Sequence, residues 1–157
     1  MCNDVRCGGR AVSQMHGLFS LRTPQDLLGK LESDFGRFEG AQTTSVEAQY
    51  AAFDFFVTAL HMADWVATAA GDPASSHRDY PDGALVDDLG NGAKHFRVDA
   101  RRHTTVSDTG SVGYFDPAFF DPTYFEVARL VIELEDGSTV DALDVARRVL
   151  DHRRNAL

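Results

Sequence analysis

Two polar clusters stand inside apolar stretches of this chain, and their residue types are those of general-base and metal chemistry. The first is His61-Met62-Ala63-Asp64-Trp65, within the long apolar run from Ala51 to Ala70. The second is Asn91-Gly92-Ala93-Lys94-His95-Phe96, at the end of a shorter helical pattern. A buried His, Asp, Asn or Lys costs on the order of a few kcal/mol when unpaired, so such groups satisfy one another or serve a site. Helical spacing puts Asp54, Thr58, His61, Asp64 and Trp65 close to one helix face, which Tyr50 extends. Asn91, Lys94 and His95 point one way wherever their helix persists. The complementary groups of the two clusters point to one shared pocket.

Several chemistries suit these residues. Asp64 can fix the tautomer of His61 and raise its basicity, making His61, Asp64 and His95 the candidate catalytic set. Asp54, Trp65, Asn91 and Lys94 are the candidate ligand-binding residues, with Lys94 offering charge to an anion and Trp65 walling the pocket. His61, Asp64 and His95 also supply two nitrogens and a carboxylate, a donor set for zinc or iron with open positions. The paired-histidine spacing of helical metal motifs is absent, however. The plain alternative for the first cluster is a hydrogen-bond network joining helices. For the second it is a helix C-terminus, where Asn and Gly stop the helix and Lys with His complements its dipole.

The elements that must position these residues follow from periodicity and punctuation. Residues 1–22 lack periodicity and are expected as a loosely ordered arm, with Leu18, Phe19 and Leu21 available to dock on a core. Thr23-Pro24 starts a first helix with a stripe of Leu27, Leu28, Leu31, Phe35 and Phe38, ended by Gly40. Thr44 with Glu47 reads as a capping box for a second helix that runs to about Ala70 and stops at Gly71-Asp72-Pro73. Its near-continuous apolarity makes it the central helix. Residues 71–83 read as a loop, and a third helix spans Asp82 to Lys94. Gly90 and Gly92 within it permit close approach of another backbone or a ligand.

Phe96, Val98 and His103–Val106 suit a strand, and Asp108–Gly113 reads as a turn. Tyr124–Leu134 is the clearest strand, and Asp136-Gly137 is a tight-turn signal that returns Ser138–Val140 as a hairpin arm. Asp141 caps a last helix to about Arg154. The expected fold is therefore mainly α (α+β). It is a bundle of about four helices with a small antiparallel β-hairpin between the third and last, in a single domain over 23–157.

Composition narrows the function classes. The chain has 157 residues, 43% hydrophobic and 25% charged, as expected of an ordinary globular domain. A net charge of −9 repels a phosphate backbone and argues against non-specific nucleic-acid binding. The start of the chain carries no apolar leader, and the charges in the longest apolar run are costly in a bilayer, so a cytoplasmic protein without membrane spans is expected. Cys2 and Cys7 are the only cysteines and are expected as free thiols, since two alone cannot complete a zinc site.

The run Phe53-Asp54-Phe55-Phe56-Val57-Thr58-Ala59-Leu60-His61-Met62-Ala63-Asp64-Trp65, followed by Leu89-Gly90-Asn91-Gly92-Ala93-Lys94-His95-Phe96, resembles an uncharacterised bacterial protein family. That family pairs an FFVTAxHxxDW-like helix with an LxNGxKHF-like segment. The resemblance implies a shared site and assigns no chemistry. Arg147 and His152 match the Arg-x4–6-His signature of the HEPN nucleases, which are helical bundles, and Arg97 with His103 fits the same spacing in an expected strand. This weaker resemblance implies RNA cleavage by Arg147 and His152.

The leading expectation is a small-molecule or metal site between the second and third helices. The alternatives are a HEPN-like ribonuclease of a toxin or defence system, and a non-catalytic interaction protein. In the last case the five aromatics of Tyr114–Tyr124 form a contact surface for a partner or homodimer.

Overall fold

The structure, a computed structural model, describes residues 17–95, 103–112 and 128–157. The elements run α1 (Pro24–Gly40), α2 (Val46–Ala70), a 3-10 turn (Ala74–His77), α3 (Gly83–Lys94), β1 (Val106–Val112), β2 (Arg129–Leu134), β3 (Thr139–Asp141) and α4 (Ala142–Ala156). The chain is thus mainly α with a small antiparallel β part, as its patterning implies. Phe96 and the Tyr114–Tyr124 aromatics lie outside the described residues, as do Cys2 and Cys7.

Helix starts follow local hydrogen-bond demand. Thr23 Oγ1 accepts the Asp26 N–H at 3.1 Å, and the Asp26 carboxylate accepts the Thr23 N–H at 2.9 Å, closing a capping box around Pro24. At α2 the cap is Ser45, one residue beyond the expected Thr44, and its Oγ accepts the Ala48 N–H at 3.1 Å. Three hydroxyl residues, Thr43, Thr44 and Ser45, stand side by side here, and only one can occupy the cap. At α4 the Asp141 carboxylate accepts the N–H groups of Leu143 and Asp144. Asp82 precedes α3 without capping it, because its carboxylate takes a two-pronged bond from Arg148 at 3.0 and 2.8 Å.

The sheet has the order β1-β2-β3, antiparallel throughout. The expected hairpin is β2–β3, turned by Gly137 at φ +81°, a conformation that side-chain-bearing residues rarely adopt. A third strand, β1, occupies Val106–Val112, where composition suggested a turn. Asp, Thr, Gly and Ser are poor strand formers, but cross-strand pairing to β2 from Val106↔Leu134 to Val112↔Arg129 overrides that preference at a sheet edge. A bulge between Val106 and Asp108 lets the edge bend.

The core lies between α1, α2 and α4 and is closed by Ile132 of β2. Leu31, Phe55, Met62, Ile132 and Leu150 are fully buried in it. α3 crosses α2 at Gly90, where a Cβ would lie 2.6 Å from Leu60 Cβ. Only the missing side chain permits that approach. Leu18 and Phe19 are exposed rather than docked, in a tight turn closed by mutual backbone bonds between Leu18 and Leu21 at 3.0 Å. Among the described residues, no helix is long and apolar enough to cross a membrane.

Candidate functional site

The polar face of α2 meets α1. Asp34 of α1 is 3% exposed, and its carboxylate accepts Lys30 at 2.5 Å, Arg37 at 2.8 Å and the Thr58 hydroxyl at 2.8 Å. Arg37 also reaches Asp54 at 2.7 Å. Burial alone would raise the Asp34 pKa, but the bonds from Lys30, Arg37 and Thr58 outweigh it and hold the carboxyl below its usual range. Asp54 and Thr58 therefore belong to a seam between helices.

His61 Nδ1 lies 3.9 Å from Asp64 Oδ2, beyond hydrogen-bond reach, and both side chains are well exposed. Asp64 instead accepts Arg78 Nη2 at 2.8 Å. Asp64 thus fixes no tautomer on His61. Trp65 is half-buried and packs on the core.

Lys94 and His95 are exposed at the end of α3. The His95 N–H bonds the Asn91 carbonyl at 2.9 Å, and the Asn91 amide donates back to Asp87 O at 2.7 Å. These are bonds of a helix terminus. Among the described residues, no three His, Cys, Asp or Glu side chains form a group that could hold a metal ion. The zinc or iron set expected from His61, Asp64 and His95 is therefore not assembled.

Arg147 and His152 sit on opposite flanks of α4. Arg147 pairs with Asp144 at 2.7 Å and with Glu39 of α1 at 3.3 Å. His152 stacks on Tyr80, between the 3-10 turn and α3, with ring centroids 4.3 Å apart. Their partners lie on different elements, Glu39 of α1 for Arg147 and Tyr80 for His152.

A cleft of about 980 Å³ opens elsewhere, between α2, α3 and the sheet. Phe53, Phe56 and Leu89 form its helical wall, and Leu130 and Ile132 its floor. Ser107, Thr109 and Ser111 of β1 line the opposite side. The cause of the opening is local. Thr109 pairs across from Ile132, and Ser111 from Leu130, so these two point to the helix side of the sheet. Their side chains are too small and too polar to fill the space beside two phenylalanines.

At the α3 end of the cleft stands a pair that sequence reasoning missed. Asp88 is 8% exposed. Its Oδ1 meets His103 Nδ1 at 2.7 Å, while Oδ2 accepts the backbone N–H groups of Thr105 at 2.8 Å and Val106 at 3.0 Å. An ionised carboxylate only accepts, so the network assigns the proton of a neutral His103 to Nδ1 and leaves a lone pair on Nε2. Asp88 and His103 both line the cleft, and the His103 side chain is 19% exposed. One signal for Asp88 was present: it falls between Leu85 and Leu89 on the inward face of α3. The one sequence signal at His103 was its fit, with Arg97, to the Arg-x4–6-His spacing, which does not point to Asp88.

Comparison with family models, curated proteins and solved structures returned no match.

Proposed function

We propose that the protein binds a small amphipathic organic molecule in the cleft between α2, α3 and the sheet. The observation that carries this reading is the contrast between its walls. Phe53 and Phe56 offer aromatic surface on one side, and Thr109 and Ser111 offer hydroxyls on the other, with the oriented His103 at one end. The lining is mixed, with Phe53, Phe56, Leu89, Leu130 and Ile132 beside Gln49, Asp108 and Glu135, and the volume falls in the range of small-molecule pockets, up to about 1,000 Å³. An apolar body packs on the phenylalanines, and its polar groups turn to β1.

The runs that resemble the uncharacterised bacterial family support the same place. Phe53 and Phe56 come from the first run, and Leu89, Gly92 and Ala93 from the second. The cleft borders α2 and α3, which carry the two runs, and the sheet as well. Its lining comes from their apolar neighbours rather than from His61, Asp64, Asn91, Lys94 or His95.

A fragment library screened by thermal shift and ligand-observed NMR tests this. A hit at about one hundred times its Kd stabilises the fold by about 2.7 kcal/mol. Ser111→Trp, at an exposed strand position facing the cleft, fills the space and removes the effect of genuine hits. The proposal fails if no fragment binds, or if hits bind the Ser111→Trp protein as well as wild type.

A further inference from the structure

We infer that the cleft is a hydrolytic active site for carboxylic esters with an apolar acyl or aryl group, with His103 as the catalytic base and Asp88 as its positioning residue. This deepens the binding reading above and rests on it.

The two oxygens of Asp88 have separate partners. Oδ2 alone carries the bonds to the Thr105 and Val106 backbone, which tie β1 to α3. Oδ1 is left for His103 Nδ1. The imidazole is therefore not needed for the tie between strand and helix, and the structural and orienting roles of the carboxylate sit on different atoms. A buried carboxylate that fixes the Nδ1–H tautomer presents Nε2 as a base, the arrangement general-base catalysis requires.

The reaction class follows from the surroundings. Thr109 and Ser111 are exposed, so water reaches the cleft. The Thr109 hydroxyl, the nearer of the two to His103 along β1, is a neutral donor for a carbonyl oxygen that gains negative charge, in a cleft that the Asp108 and Glu135 carboxylates also line. Phe53 and Phe56 hold the apolar part of the ester. In the step itself, Nε2 takes a proton from water as the water oxygen bonds to the carbonyl carbon. The bond from that carbon to the alcohol oxygen then breaks. The proton on Nε2 passes to the departing alkoxide, giving acid and alcohol with the imidazole restored. Water is the only co-reactant.

The test uses the full chain and p-nitrophenyl acetate, butyrate and hexanoate, with kcat/KM followed from pH 5 to 9. The expected wild-type profile rises through one imidazole ionisation. His103→Gln keeps the Oδ2 tie and the melting temperature but loses at least about 100-fold in kcat/KM, the lower end of a general-base contribution. Asp88→Asn lowers kcat with KM little changed and displaces the rising limb, which loss of a purely structural contact does not do. Ser111→Trp removes the activity, and His61→Gln leaves it intact.

A His103→Gln protein as active as wild type overturns the inference, and so does a rate that simply follows hydroxide. If fragments bind as proposed but no ester is cleaved, the inference falls and the binding reading stands. If nothing binds, both fall.

Discussion

Replacing Gly90 by alanine tests the packing that sets the width of the cleft. The added methyl carbon would lie 2.6 Å from Leu60 Cβ, 2.9 Å from Leu60 Cδ2 and 3.0 Å from the Phe56 carbonyl oxygen. Unstrained carbon contacts sit near 3.5–4.0 Å, so roughly 1 Å of separation is required. Rotating Leu60 moves Cδ2 but not Cβ, and the Phe56 oxygen belongs to the α2 backbone. The helices themselves must part.

Alanine gains about 1 kcal/mol over glycine in helix propensity, and overpacking costs typically about 1–3 kcal/mol. With two of the three clashes on atoms fixed to α2, the upper part of that range applies, and the net loss is about 1–2 kcal/mol. Gly36 of α1 is the control, because a Cβ there meets nothing within 4 Å. Gly36→Ala should gain up to about 1 kcal/mol. One substitution type thus carries opposite signs at two helix positions. Urea unfolding measures both, and thermal midpoints should move by about 2–4 °C per kcal/mol. A Gly90→Ala protein as stable as wild type, with unchanged denaturant slope, would refute the close crossing of α2 and α3.

Four further outcomes are expected. Asp34→Ala should cost about 1–2 kcal/mol in chemical denaturation, because Lys30 and Arg37 lose an acceptor while their exposed parts regain water and the Thr58 hydroxyl keeps the Asp54 carbonyl. Because the folded pKa of Asp34 is depressed, its contribution is present above the ordinary carboxylate pKa and lost as pH falls through the folded value. Asp34→Asn should accordingly flatten the acid limb of the stability curve. Tyr80→Phe should leave the melting temperature unchanged or raise it, since the buried Tyr80 hydroxyl makes no well-formed hydrogen bond among the described residues; a clear fall would reveal a bond to Arg153, which lies against the ring. His152 is held below the ordinary imidazole pKa by burial and then by the adjacent Arg153. Its native neutral form therefore loses stability as pH drops below about 6.5, the unfolded value. Melting temperatures at pH 7.5 and 5.5 should differ less in His152→Gln than in wild type.

Helix starts were legible wherever one residue held the capping chemistry alone, as at Thr23 and Asp141. At Thr43-Thr44-Ser45 the three hydroxyls left a choice that only backbone geometry settles. β1 was not legible, because Asp108, Thr109, Gly110 and Ser111 have turn composition and their strand character comes from pairing with β2. The same smallness makes the cleft, so the feature that hid the strand also hid the site wall. The polar face of α2 was visible, but its buried partner Asp34 was not, since a charge between apolar positions of α1 looks solvated. Asp88 and His103 meet through the α3–β1 connection across 15 residues, with no spacing rule to join them.

The ion pairs of α4 span long stretches of chain: Arg147 to Glu39 bridges 108 residues, and Arg154 to Glu32 bridges 122. α1 and α2, by contrast, are joined by residues 41–45 alone. Loop-closure entropy therefore lets α1 and α2 associate early and makes the docking of α4 a late event. The consequence is kinetic. Truncating Val149 should mainly speed unfolding, with a φ-value near zero, whereas truncating Leu31 should mainly slow folding. Stopped-flow chevrons of Val149→Ala and Leu31→Ala decide it, and a high φ-value at Val149 would place α4 in the nucleus instead.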